Sequence, residues 1–346
     1  MTMQAPPFDH AARVLGLFEV LALVSSACVN AGARAAVAAL RPLTDAGAIR
    51  ASLAEIDEYR RLREESGDIA IPDTSYRDDV AKIAEGARGT ADGLRRIADG
   101  ERAIAELARF VAGEAGSFPK LAAIAAASSP HEDIVAEIDR AIDADGEVRD
   151  DATPALKSIR RDIRGARNSL RERAEKMVGD LGADAHATVM GTRHVLVVPR
   201  GKVKRGAGLV HGASQTGGSL YLEPMALLDL NNELETRLAD ELEEIDRILR
   251  ALSDRVRRAA PTIVANADVV DTLDAVRAKA AFAERFGCIT PDLSADDVAR
   301  LHLVRARHPL LTLALDRSGA LASLIPLDLT VEQSQRLMVI TGPNAG

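Results

Sequence analysis

The sequence predicts a mainly α-helical protein: a helical core bundle, a long antiparallel helical lever pair carrying a small β-rich tip, and then the first strands of an α/β domain. Three observations lead to the helical parts and the tip, and the last part rests on the strand and loop at the end of the sequence. Aromatic residues are only 3% of the 346 and Trp is absent, so the core is built from Ala, Leu, Val and Ile, which suits packed helices better than a β-sandwich. Two runs of aliphatic residues recur at alternating steps of three and four, the spacing of a helical seam. Between those runs the chain becomes β-branched and Gly-bounded, as short strands are. The length exceeds the roughly 250 to 300 residues that one core sustains, so more than one body is expected. In chain order the expected parts are a helical core (1–128), an outgoing connector and lever helix (129–184), a β-rich basic tip (185–222), a returning lever helix and core (223–298), and the start of a further domain (299–346).

The first part reads as consecutive helices from Phe8 to about Glu114, punctuated at Arg41-Pro42, at Ile71-Pro72 and near Gly86 and Gly100. Its most apolar stretch, Val14 to Val29, reads as one buried helix. That stretch is interrupted by Glu19, is short for a membrane span and lacks the basic leader of a signal peptide. Cys28 and Cys288 form no C-x-x-C pair, so neither a disulfide framework nor a zinc ribbon is indicated, and a reducing cytoplasmic setting is expected.

The next helix should begin at Ser129-Pro130-His131-Glu132, with Ser129 as N-cap, Pro130 at the first helical position and Glu132 closing a capping box. His131 then lies on the surface of the first turn. Asp143-Ala144-Asp145-Gly146 reads as a turn between short extended pieces, without the twelve-residue loop that calcium requires. The outgoing lever helix starts at Thr153, a cap, with Pro154 behind it. Its seam is Leu156, Ile159, Ile163, Ala166, Leu170, Ala174, Met177 and Leu181. The returning seam is Leu230, Leu234, Leu238, Leu242, Ile245, Leu249, Leu252 and Val256, with Pro224 near its start and Pro261 near its end. At 1.5 Å per residue the arm should be about 50 Å long.

Within the tip, His194 to Val198, Gly208 to Val210 and Ser219 to Leu222 are the strand candidates. No Asp or Glu lies between Asp184 and Glu223, so the tip carries +5 and the rest of the chain −13. Arg193, Arg200, Lys202, Lys204 and Arg205 are the candidate phosphate contacts, and the neighbouring glycines would let backbone approach a phosphate closely. The stalk reads as acidic from Glu241, Glu243, Glu244 and Asp246, which would leave the tip as the attractive end. Tyr221 is the tip's only aromatic residue, so contact should be with backbone and not with stacked bases. The plainer alternative is a solvated hairpin whose charges protect an exposed edge. His186, His194 and His211 lack the spacing of a metal set.

At the C-terminus, Arg336 to Ile340 reads as a buried strand leading into Thr341-Gly342-Pro343-Asn344-Ala345-Gly346. This begins like the loop G-x-x-x-x-G-K-[ST], whose amides cradle nucleotide phosphates. The Lys and the hydroxyl are missing, so no tight binding of ATP or Mg²⁺ and no ATPase activity are expected of these residues alone.

Taken together, these motifs resemble the MutS family of ATPases. Leu337 to Gly346, LMVITGPNAG, is similar to the start of that family's Walker A segment, and Arg307-His308-Pro309-Leu310-Leu311 to the opening of its ATPase domain. Three further stretches are similar to the shorter bacterial branch that lacks the mismatch-reading and connector domains: Gly208-Leu209-Val210-His211, Thr216 through Pro224, and Leu230-Asn231-Asn232-Glu233-Leu234. Asp145 to Asp150, leading into Leu156-Lys157-Ser158-Ile159-Arg160, matches it too. The resemblance implies a core, a lever pair with a clamp at its end, and the opening of an α/β P-loop ATPase domain. It implies ATP and Mg²⁺ in the whole protein, at a homodimer interface that closes a ring on nucleic acid. The branch is associated with branched DNA in recombination suppression and with ribosomal RNA in the rescue of stalled ribosomes, and often ends in an Smr nuclease-like domain. Walker B and an Smr domain are absent from these residues. A mismatch-repair role would need a Phe-x-Glu wedge, and Phe282-Ala283-Glu284 lies in a helical stretch where a core Phe explains it better. Outside the family, the alternatives are a coiled-coil spacer docking an acidic protein partner and a small-molecule P-loop kinase. No membrane partner is expected.

Overall fold

A computed structural model describes residues 8–215, 217–293, 301–332, 334–335 and 338–339. It is mainly helical, with a few short antiparallel strands. The first helices are α1 (Phe8–Val14), α2 (Leu17–Ser25), α3 (Ala31–Ala38), α4 (Ala46–Ser66) and α5 (Arg77–Ala84). They are followed by α6 (Ala91–Gly113), α7 (Pro119–Ala125), α8 (Glu132–Ala141) and α9 (Pro154–Leu181). The strands β1 (His186–Met190), β2 (Arg193–Pro199), β3 (Gly208–Ala213) and β4 (Ser219–Pro224) then lead into α10 (Met225–Phe286). After them come β5 (Leu301–Ala306), α11 (Pro309–Arg317) and β6 (Leu327–Val331). Two compact units divide the chain: 1–77, 100–130 and 261–346 form the first, and 78–99 with 131–260 the second.

In the first unit, the apolar stretch from Val14 to Val29 is not one helix. Gly16, at φ +70°, separates α1 from α2, and Val14, Leu15 and Val29 are exposed. The left-handed backbone at Gly16 breaks the helical hydrogen-bond run, which composition alone does not signal. Val24, Cys28, Ala33 and Val37 pack with Ala278 of α10, and Phe282 lies against them and near the ring of Phe286. Phe282 is therefore core packing, as its helical setting suggests. Burial pushes the Cys28 thiol up to about 11. Polar connections in this unit are made by buried side chains. Asp274 accepts from the amides of Val29 (2.7 Å) and Asn30 (2.9 Å), and Glu58 from those of Lys120 (2.7 Å) and Leu121 (3.1 Å) at the start of α7.

Gly100 does not punctuate the chain, because it sits inside α6. The ring of fully buried Tyr76 occupies the space a Cβ would need there. Gly165, inside α9, faces open space. The two should therefore respond oppositely to alanine. Gly100→Ala should lose about 1–3 kcal/mol through overpacking, whereas Gly165→Ala should gain about 0.5–1 kcal/mol from helix propensity. Urea melts of the two variants check this, and a stabilised Gly100→Ala would contradict the packing.

In the second unit, Thr153 caps α9 by accepting from the Leu156 amide (3.0 Å), with Pro154 at the first position as the sequence implies. The box expected at Ser129 does not form: His131 is the N-cap of α8 without a side-chain cap bond, and Ser129, which belongs to the first unit, donates its amide to Asn266 (2.7 Å) of that same unit. The turn at Gly146 forms as expected, closed by an Ile142–Val148 bridge and by Asp143 accepting from the amides of Asp145 and Glu147. Leu156, Ile163, Leu170 and Ala174 are the buried seam of α9. Ile163, Leu170 and Ala174 meet Leu227 and Leu234 of α10 and Leu196, Val198 and Leu222 of the sheet in one cluster.

The returning helix departs from expectation twice. Leu242 is 70% exposed, and the seam passes through Glu241, which accepts from Arg160 Nε at 2.7 Å. Pro261 lies inside α10, which runs on to Phe286. A proline costs one backbone bond and crowds the preceding turn, and tertiary packing on both sides of it overrides that local break.

Among the described residues no helix is long and apolar enough to cross a membrane.

Candidate nucleic-acid interface

Strands β1 to β4 form one antiparallel sheet in the order β1-β2-β4-β3, so β2 and β4 are its central strands and α9 packs against β1 and β2. Strand β1 escaped the sequence reading because His186 to Met190 holds only two β-branched residues, Thr188 and Val189, too short a run to stand out. In the centre the register sets Leu196 opposite Leu222 and Val198 opposite Leu220. A bulge at His211 interrupts the pairing of β3 with β4. It turns the imidazole toward Glu223, with Nε2 2.6 Å from Oε2.

Glu223 is the node of the tip and is fully buried. Its Oε1 accepts from Arg193 Nη1 (2.6 Å) and from Asn231 Nδ2 (2.8 Å). Asn231, also buried, accepts from the His194 amide through Oδ1 (2.9 Å) and donates to the His194 carbonyl through Nδ2 (3.0 Å). The second arm of Arg193 reaches Asn232 and Glu235 at 2.7 Å each. Strands β2, β3 and β4 are thereby tied to the first turns of α10. Burial alone would raise the Glu223 carboxyl, but the hydrogen bonds from His211, Asn231 and Arg193 outweigh it and hold the group below its ordinary value.

Of the five basic candidates, then, Arg193 is engaged in holding the tip together. The other four are exposed and crowd the connection from β2 to β3: Arg200 and Lys202 in a single 3₁₀ turn, Lys204 and Arg205 in the turn that follows. The Arg200 amide donates to the Gly218 carbonyl (3.0 Å), so this connection lies beside the β3–β4 turn. Lys202 Nζ contacts the Leu181 carbonyl (3.2 Å) and Asp184 (3.3 Å), which is 73% exposed. A pair that exposed contributes about 0–1 kcal/mol and leaves the ammonium available to a phosphate. Among the described residues no group of three or more His, Cys, Asp or Glu is placed to hold a metal ion.

The nucleotide-loop candidates Thr341, Gly342, Pro343, Asn344, Ala345 and Gly346 lie outside the described residues, as do Arg336, Leu337 and Ile340 of the expected strand. What precedes them is described: β5 pairs antiparallel with β6, and His308 and Pro309 open α11 as N-cap and first residue.

The sequence is 31% identical over 345 residues to the protein named Endonuclease MutS2 in Symbiobacterium thermophilum, covering 98% of this chain and 42% of that one. It is 36% identical over 214 residues to the protein of the same name in Gemmatimonas aurantiaca, 60% of this chain and 25% of the relative. The chain belongs to the MutS family. No family model matches it. The chain spans about two fifths of the length of the first of these relatives. In this MutS-family chain, the stretches around His211, Glu223 and Asn231-Asn232 that resembled the shorter branch are the ones that meet in the Glu223 node. Sequence reading identified them as motifs without seeing that they converge, since the three lie on β3, β4 and α10.

Proposed function

We propose that this chain is the core, lever and clamp portion of a protein of the shorter MutS branch, and that its tip grips the backbone of nucleic acid. One observation carries the reading. Arg200, Lys202, Lys204 and Arg205 are exposed together on a connection held by a four-stranded sheet, in a stretch that has no acidic residue from 185 to 222. Phosphate contacts position without reading sequence, so matched and branched duplexes or folded RNA all present what such a loop takes up. The relatives' printed name, endonuclease, favours nucleic acid over an acidic protein surface as the partner. Homodimerisation and the binding of ATP and Mg²⁺ in the whole protein, at a loop of which Thr341–Gly346 are the start, belong to the same proposal, as does a role on branched DNA or on ribosomal RNA.

Salt dependence is the test. With about four phosphates neutralised, log K should fall against log salt with a slope near −3.6 on duplex DNA. Replacing Lys202, Lys204 and Arg205 together with Ala should flatten that slope by up to about three units. Arg247→Ala and Arg250→Ala should leave it unchanged, because Arg247 is bonded to Glu244 (2.7 Å) and Arg250 to Asp246 (2.5 Å). Titration of a fluorescent duplex at several salt concentrations measures it. An unaltered slope in the triple variant overturns the clamp, and binding to an acidic protein undisturbed by excess duplex would favour the spacer alternative.

A further inference from the structure

The stalk is not uniformly acidic. From Met225 to Val256 helix α10 carries nine acidic and four basic residues, but α9 carries eight basic and four acidic. The basic residues of α9 are not spread evenly around it. At 100° per residue, Arg164, Arg167 and Arg171 fall within about 60° of one another, on a face next to the buried Ile163, Leu170 and Ala174. All three are exposed. Among the described residues Arg164 pairs with Asp150 alone (3.1 Å), itself 62% exposed, and Arg171 with Glu175 alone, at 4.0 Å. Arg160 on the same side is different, since it is held by Glu241, by Asp150 and by the Val148 carbonyl. Helix-surface cations whose only partners are exposed carboxylates stay hydrated and exchangeable.

The packing of α9 against β1 and β2, together with two interactions, fixes where this face lies relative to the tip. Arg167 is close enough to His194, at the start of β2, for its charge to reinforce burial in holding that imidazole below its ordinary value. At the other end, Lys202, just past the end of β2, reaches the Leu181 carbonyl at the end of α9. The last half of α9 and the whole of β2 therefore run side by side in the same direction. Fourteen helical residues from Arg167 to Leu181 span about 21 Å, which corresponds to about six base pairs at 3.4 Å each.

We propose that Arg164, Arg167 and Arg171 form a second phosphate-binding track, along the lever, about 20 Å from the cationic loop of the tip, so that a duplex backbone is held at two points and not only at the end of the arm. The proposal rests on the clamp reading above and adds a separate contact to it. The ligand chemistry is the phosphodiester backbone, which duplex DNA and duplex RNA share. Exposed arginines on the outside of a helix contribute little to folding, so this face is open to substitution without loss of the fold.

The test compares Arg164→Ala/Arg167→Ala/Arg171→Ala with the tip triple variant, on fluorescent 20-base-pair DNA and RNA duplexes across a range of salt. With three lever contacts added to the tip's four the native slope should steepen from about −3.6 to about −6; the lever variant should flatten it by about two to three units and, in combination with the tip variant, should flatten it further. Replacing the same three residues with Lys should keep the slope, since the charge is retained. Loss on one duplex only identifies that nucleic acid as the source of the backbone. If the lever variant keeps the native slope while the tip variant loses it, the track is refuted and the clamp stands. If the lever variant loses it and the tip variant does not, the clamp assignment fails instead. A native chain that binds neither duplex at low salt refutes both. A Lys variant as weak as the Ala variant would also refute the track, because it would tie the effect to shape and not to charge.

Discussion

Leu234→Asp should unfold the lever and its tip, whereas Leu242→Asp should be nearly silent. Leu234 is 1% exposed and shares a cluster with Leu170 and Ala174 of α9 and with Leu222 of β4. A carboxylate there has no hydrogen-bond donor positioned for it and loses the contacts of a buried leucine. The cost should exceed about 4 kcal/mol, the range reserved for an unpaired charge in a core. Leu242, at 70% exposure, contacts solvent in the folded protein much as it does in the unfolded chain, so its substitution should stay within about 0.5 kcal/mol. Circular dichroism melts of both single variants measure this. Equal destabilisation would mean that the seam runs through Leu242 after all.

That pair also shows why the seam was only partly legible. From Leu238 a step of three reaches Glu241 and a step of four reaches Leu242, and hydrophobicity favours the leucine. The structure takes the step of three because Arg160 crosses from α9 to Glu241 and fills the position with an ion pair. Apolar patterning is blind to a charge whose partner lies on another element. The same limit hid Gly100, whose reason is the ring of Tyr76, and the continuation of α10 through Pro261. It also hid the basic face of α9, since the charge of the stalk was read from the returning helix. Much of what depended on local chemistry was readable, namely the Thr153 cap, the turn at Gly146, the seam of α9 and the basic run from Arg200 to Arg205, whereas the box at Ser129 gave way to Asn266, again a partner on another element. Of the tip's two functions, charge presentation could be seen in the sequence. The scaffold that presents it could not, because its members are brought together only by the sheet.

Removing that scaffold's centre should have the second large effect. In Glu223→Ala the guanidinium of Arg193 keeps Glu235 and Asn232 and Asn231 Nδ2 keeps the His194 carbonyl, but all three side chains, with His211 Nε2, lose the buried carboxylate they share. Breaking one side of a buried charged cluster costs about 3–5 kcal/mol, so β3 and β4 should lose most of their protection in amide hydrogen exchange, while α4 and α7 of the first unit keep theirs. Glu223→Gln separates charge from shape, since its carbonyl still accepts from Asn231 but the anion is gone. The pH dependence then gives the sign. A carboxyl held below its ordinary value of 4.5 in the folded state contributes stability that is present above 4.5 and is lost as pH falls toward the lowered folded value. The native tip should therefore lose stability more steeply than Glu223→Gln on acidification from pH 5 to pH 3, and the gap between the two should be widest near neutrality. Parallel stability curves over that range would show that the Glu223 charge does not hold the tip, and the four exposed cations would then need another explanation for their fixed presentation.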